Sequence, residues 1–349
     1  MSTNMETQPG TFSNQALKVF SHHNVTPTPR IPPATVQQRR EAAGVADSPA
    51  WQTPGVTHSE EDPGLVSGSP ADPAHGGLLR RIDAYYDTAP RATARAEAHG
   101  SLILFVAEHG WPFYARPGLA RATEPTPDEI CAVLDRQRAL EVPLALEWVH
   151  ETAPSLTSAA RSAGMTVHEC PLLVLGSVAE PSPGEDGLPP GDGSGSVRLM
   201  GADDPSLGDM NAAVDVAFGT PGTAVGAAAV EARDQAVNRA NSRERLGFTV
   251  DALRSGRTVC AGAFVQGAGA VGGGSHNPRG TVSEIVGVGV LPAFRRRGLA
   301  GELARMLTRQ ALDSGVTTVF CGAESVEVAR VYEQVGFRRI GTSCVAEIG

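Results

Sequence analysis

Arg295-Arg296-Arg297-Gly298 stands three residues beyond Pro292, where a β-rich run ends, and opens a helix at Leu299-Ala300. That order of residue types could hold a diphosphate. The first N–H groups of a helix lack intrahelical partners, and they sit at the positive end of the helix dipole. A glycine at 298 lets the backbone come close to the phosphates, and side chains at 296 and 297 can add charge. A second glycine-rich stretch, Gly267-x-Gly269-x-x-Gly272, formally fits a dinucleotide fingerprint, which requires a helix immediately afterwards. Here residues 273–279 (GGSHNPR) break helices, so the stretch predicts a long mobile hairpin loop over 266–281.

Composition removes several other chemistries. Of the 29 basic residues only Lys18 is a lysine, so a Walker A loop, a kinase phosphate clamp and a Schiff-base lysine are all excluded from the ordered chain. No G-x-S-x-G elbow occurs. The five cysteines lie far apart and the histidines lack ligand spacing, so no metal site is expected. A formal net charge of −9 argues against nucleic acid as a partner. Residues 1–30 are polar and no run of about 18 apolar residues exists, so neither a signal peptide nor a membrane span is predicted, and a cytoplasmic location is expected.

Residues 1–76 hold ten of the 26 prolines without apolar periodicity and read as a disordered tail. Residues 176–196, with four prolines, six glycines and no base, read as a flexible linker. Two units remain, 77–175 and 197–349. In the first, a helix is predicted around Leu78–Tyr86, then strand-like runs Ser101–Ala107 and Trp111–Ala115 turning at His109-Gly110. Thr126-Pro127-Asp128-Glu129 is a helix start with a capping box. Strand Leu144–Val149, helix Pro154–Ala163 stopped by Gly164, and strand Thr166–Leu175 follow. In the second, strand Val197–Met200 leads to helices around Pro205–Phe218 and Ala229–Asn241. Runs Phe248–Leu253, Thr258–Val265 and Val282–Leu291 predict an antiparallel meander. Helix Gly298–Asp313 has its apolar residues at Leu299, Leu303, Met306, Leu307 and Ala311. Strand Val316–Cys321, helix Val326–Val335 and strand Arg338–Ile348 end the chain. Each unit ends in a strand, a glutamate (Glu151, Glu324), a helix and a Gly-apolar pair (Gly164-Met165, Gly336-Phe337), the faint mark of an internal duplication.

Val290-x-Pro292-x-x-Arg295-x-x-Gly298-x-Ala300 resembles the acetyl-CoA signature of the GNAT N-acetyltransferases, whose core is R/Q-x-x-G-x-G/A. Ala329-Arg330-Val331-Tyr332-Glu333-Gln334-Val335-Gly336-Phe337 resembles the tyrosine-bearing helix of the same family, which closes on Gly-Phe. The resemblance covers 197–349. It implies an α+β (mixed α/β) fold with a central, mostly antiparallel sheet flanked by helices. Residues 77–175 look like a degenerate second copy, without the R-x-x-G-x-A turn and without a tyrosine before Gly164.

The resemblance also implies roles. Acetyl-CoA would be the co-substrate, with no metal and no covalent enzyme intermediate. The turn that follows Arg295 would hold the pyrophosphate on the backbone of Arg296, Arg297, Gly298, Leu299 and Ala300. The strand carrying Val288 and Val290 would splay from its neighbour and pair with the pantetheine arm, an N–H near Val290 polarising the thioester carbonyl. Tyr332 would be the general acid and Glu284 the general base. Ser325 stands where many members place an asparagine that contacts the coenzyme. The acceptor would be a small-molecule or peptide amine, and a homodimer is allowed. The alternative is a non-catalytic acyl-CoA-binding regulatory or scaffold module that kept the cradle.

Overall fold

Short sequence signals fix helix α2 (Pro127–Ala139) in the computed structural model of the protein, which describes residues 73–108, 114–176, 195–239 and 242–348. Thr126 Oγ1 accepts from the Glu129 N–H, the Glu129 carboxylate accepts from the Thr126 N–H, and Pro127 takes the first helical position. This is the reciprocal capping box its spacing predicts. Glu129 also accepts from the Ser101 N–H and hydroxyl at 3.0 and 2.8 Å, tying the helix start to a neighbouring turn.

The first half contributes helix α1 (Pro73–Thr88), strands β1 (Ala94–His99), β2 (Leu102–Ala107) and β3 (Ala115–Pro117), helix α2, strand β4 (Ala145–Val149), helix α3 (Ser155–Ser162) and strand β5 (Thr166–Leu175). The second half contributes β6 (Gly195–Met200), α4 (Leu207–Phe218), α5 (Val230–Val237), α6 (Ser242–Arg254), β7 (Val259–Val265), β8 (Gly269–Arg279), β9 (Val282–Val290), α7 (Leu299–Asp313), β10 (Thr318–Gly322), α8 (Val326–Glu333) and β11 (Phe337–Glu347). Leu299, Leu303, Leu307 and Ala311 of α7 are all buried in the core of the second half. Burying each of the three leucines contributes roughly 1.5–3 kcal/mol, which holds α7 on the sheet.

The described residues of both units share one 11-stranded sheet, ordered β1-β2-β3-β4-β11-β5-β10-β9-β8-β7-β6. The halves are built alike. β1, β2 and β3 pair antiparallel, as do β7, β8 and β9; a crossover helix then leads to a parallel partner, β4 beside β3 and β10 beside β9. The last strands are exchanged. β11 lies between β4 and β5, and β5 between β11 and β10. Each half's final strand therefore completes the ladder of the other. The long β5–β11 pairing, from Thr166–Glu347 to Leu175–Phe337, is the seam. Helix α1 covers that seam: Leu79, Ile82, Tyr85 and Tyr86 pack with Val149, Leu172, Val174, Val282, Phe320 and Ile340, drawn from both halves.

Several expectations are corrected. Residues 73–76, read as the end of the tail, form the first turn of α1, and 195–196, read as linker, begin β6. The rest of the tail, linker residues 177–194 and the His109-Gly110 turn lie outside the described residues. The run Phe248–Leu253 is helical. Leu246, Val250 and Leu253 of α6 recur with the helical period and pack on the cluster around Met200, Leu207 and Met210, so tertiary packing overrides the β propensity of Phe-Thr-Val. The stretch 266–281 is a tight turn followed by β8, not a long loop. Its glycines allow close packing: a Cβ at Gly273 would come within 2.3 Å of Met210 Sδ, and one at Gly272 within 2.5 Å of the Gly289 carbonyl oxygen. Strand β1 went unpredicted because it has no β-branched or aromatic residue.

Candidate active site

The turn between β9 and α7 decides what this region can bind. Gly298 caps α7 at φ +80°, Arg296 also has a positive φ of 65°, and no side chain caps the helix start. A Cβ at Gly298 would meet nothing within 4 Å, so the glycine answers to backbone conformation and not to crowding. The open N-terminus borders a cavity of about 710 Å³ lined by Arg296, Gly298, Leu299, Ala300 and Gly301. An anionic group fits here, since free N–H groups and the helix dipole point at it.

The three arginines have separate tasks. Arg295 is tied to backbone carbonyls of Val290, Ala217, Thr220 and Ala224 at 2.7–3.3 Å, so its guanidinium clamps the turn to the end of α4 and the segment after it. Arg297 lies over the Phe294 ring, 5.1 Å from its centroid, and is not among the cavity-lining residues. Arg296 is exposed and lines the cavity. Ser325 is also placed differently from its expected coenzyme contact: its hydroxyl caps α8, accepting from the Val328 N–H, and does not line the cavity.

β9 and β10 open away from each other. Their parallel register runs from Val282–Thr318 to Glu284–Phe320 and goes no further, whereas β9 continues to Val290. A bulge at Gly287, φ +66°, and Val288 shifts the β8–β9 register a few residues further along. Gly287, Val288, Gly289 and Val290 all line the cavity, with strand backbone free of a β10 partner. An extended amide-bearing chain could pair there as an added strand.

Glu284 and Tyr332 face the same cavity. Burial, reinforced by the charge of Glu147, pushes the Glu284 carboxyl up to about 8, close to where a general base works best at neutral pH. Tyr332 is 6% exposed, with its ring edge-on to Phe337 at 5.7 Å. Burial pushes its phenol well above the ordinary value, with Cys321 and Glu284 adding to the effect, so it stays protonated.

The first half supplies the rest of the wall. Tyr85, Tyr86, Thr93, Phe105, Tyr114, Arg116 and Glu147 line the same cavity. Sequence reasoning missed them. One local signal exists, the adjacent Tyr85-Tyr86 pair near the end of α1, but only the fold brings it beside Glu284. Among the described residues no cluster of three His, Cys, Asp or Glu could hold a metal, and no helix is long and apolar enough to cross a membrane.

Residues 220–337 match the family model described as Acetyltransferase (GNAT) family. No curated protein matches the sequence. Among solved structures, a GCN5-related N-acetyltransferase from Kribbella flavida is similar with a TM-score of 0.54 at 19% identity, covering 78% of this chain and 96% of that one. A GCN5-related N-acetyltransferase from Sphaerobacter thermophilus is similar at a TM-score of 0.48 and 15% identity, over 80% and 93% of the two chains. A tandem GNAT protein from the clavulanic acid biosynthesis pathway gives 0.44 and 14%, over 80% and 97%. The Kribbella likeness is one of fold and extends over both halves. Residues 220–337, which carry the open helix start, the bulged strand and Tyr332, are a domain of the GNAT acetyltransferase family.

Proposed function

We propose that the protein is an N-acetyltransferase that moves an acetyl group from acetyl-CoA to an amine by direct attack. The observation that carries this reading is the uncapped N-terminus of α7, with its left-handed Arg296 and Gly298, opening onto the cavity that holds Glu284 and Tyr332. The backbone from Arg296 to Ala300 holds the pyrophosphate. The β9 edge from Val288 to Val290 pairs with the pantetheine arm, and an N–H near Val290 polarises the thioester carbonyl.

An amine reaches the site as an ammonium and must lose a proton before it can attack. Glu284 accepts that proton, directly or through water. The nitrogen then forms its bond to the acetyl carbon and sheds its second proton, the carbon–sulfur bond breaks, and Tyr332 protonates the departing sulfur and is reprotonated, through solvent, by the proton the nitrogen sheds. No metal and no covalent enzyme intermediate takes part. The first half acts as a second, degenerate copy of the fold that has lost its own cradle, so one coenzyme site serves the chain.

The test is turnover. Thiol release from acetyl-CoA is followed with a panel of small amines and lysine- or N-terminus-bearing peptides. Amine-dependent release that Tyr332→Phe suppresses supports the reading. Tight coenzyme binding with no release on any amine would replace it with a non-catalytic acyl-CoA-binding module.

A further inference from the structure

The Glu284 carboxyl is held from the first half of the chain. Tyr86 in α1 donates its hydroxyl proton to Glu284 Oε1 at 2.9 Å. Its ring is fixed edge-on to Phe320 at 5.4 Å, and the Arg116 guanidinium of β3 sits over it at 4.4 Å. Arg116, 6% exposed, pairs in turn with Glu147 of β4 at 3.2 Å. Glu147, Arg116, Tyr86 and Glu284 thus form one line along the cavity wall, and all four face the cavity. A first half kept only for packing would not need this arrangement. A phenylalanine would lie against Phe320 equally well, and an apolar pair of the same volume would avoid the cost of desolvating a guanidinium and a carboxylate.

We infer that Tyr86, with the Arg116–Glu147 pair behind it, positions Glu284 and sets its proton affinity, so that the first half is a working part of the acetyl-transfer site. The inference rests on the transferase reading above for what Glu284 does, but not for how it is held. The groups acting on Glu284 are Tyr86 from α1, Arg116 from β3, Glu147 from β4 and Arg279 from β8; Tyr85 of α1, Cys321 of β10 and Tyr332 of α8 are coupled to it in turn. Two of these act with opposite sign. The Tyr86 hydrogen bond favours the carboxylate, and the charge of Glu147 favours the protonated acid.

Opposite signs give a test that a purely structural role would not pass. In the full-length chain with ¹³C-labelled glutamate carboxyls, the Glu284 resonance is assigned by its loss in Glu284→Gln and titrated from pH 5 to 10. Tyr86→Phe moves the midpoint up and Glu147→Gln moves it down, each by roughly three-fold or more in proton affinity. Acetyl-CoA affinity, measured alongside by calorimetry, stays at the wild-type value in both variants. Unmoved midpoints in variants that still bind acetyl-CoA would overturn the inference and leave the transferase reading intact. Tyr86→Phe keeps the packed ring, so it carries the test alone should Glu147→Gln fail to fold. If the midpoints move as stated but no amine is ever acetylated, the positioning role stands and the transferase reading falls.

Discussion

Two crossover helices enter the sheet at corresponding places, α2 between β3 and β4 and α7 between β9 and β10, and their N-termini are opposites. At α2 the chain closes its own helix start with a threonine hydroxyl, a proline and the Glu129 carboxylate, and Asp128 adds a second acid to the first turn. At α7 no side chain caps it; Glu302 stands in the first turn, but the cap is Gly298 and three arginines precede it. The same electrostatics act at both ends. In the first half an internal anion answers them and the product is stability, whereas in the second the helix start opens onto the cavity, where the proposed function puts the coenzyme. A shared topology thus leaves function to a few residues at one turn.

The sharpest way to break this comparison is at the residue that the first half does not match. Tyr332→Phe should lower kcat by about 100-fold or more, the usual worth of a well-placed proton donor, with acetyl-CoA affinity unchanged. Equal losses in rate and affinity, measured by steady-state kinetics beside calorimetry, would make Tyr332 a core tyrosine and nothing more.

Glu284 should give the next largest effect, and it depends on pH. Its carboxyl is raised from 4.5 to about 8 in the folded chain, so the folded state binds the proton more tightly than the unfolded one. The contribution of this group to stability is therefore full below about 4.5 and is lost progressively as pH rises to about 8. The rate should rise over the upper part of the same range as the base ionises. Urea unfolding should show the wild type losing stability across that window and Glu284→Gln losing less, while the variant's rate loses its acid limb. A wild-type stability that rises over this range would contradict the assignment.

The smallest effect belongs to the closed helix. Thr126→Ala removes one side of the α2 capping box and should cost about 1 kcal/mol of stability, read as a lower denaturation midpoint, with acetyl-CoA affinity unchanged. A loss of affinity as large as the loss of stability would mean that the two helix starts are not independent.

What could be read from the sequence follows the same division. Both helix starts were legible because each is written in adjacent residues, Thr126 to Glu129 and Arg295 to Ala300, whose chemistry acts within one turn. The stripe of α7 and the run Thr166–Leu175 were legible for the same reason. The errors came where distant packing decides. Phe248–Leu253 has strand-like residue types yet is helical because Leu246, Val250 and Leu253 meet the cluster around Met210. Gly272 to Gly274 looked like a loop, although the close approach of Gly289, Met210 and Val288 demands glycine in a strand. The exchange of β5 and β11 has no local signature, because the neighbours each strand takes come from the other half of the chain. The pairing of Tyr86 with Glu284, 198 residues apart, exists only once that exchange and α1 bring the halves together.

The central claim, that the open start of α7 is the coenzyme site, is tested most directly by calorimetric titration of acetyl-CoA into the wild-type chain and into Gly298→Asp. Aspartate puts a carboxylate at the start of α7, as α2 already has at its own, and imposes a side chain on a φ of +80°. The account predicts saturable one-to-one binding to the wild type and at least about 100-fold weaker binding to the variant, the combined result of a repelled anion and a distorted turn. Equal affinity in the two proteins, or no binding to the wild type at millimolar acetyl-CoA, would contradict it.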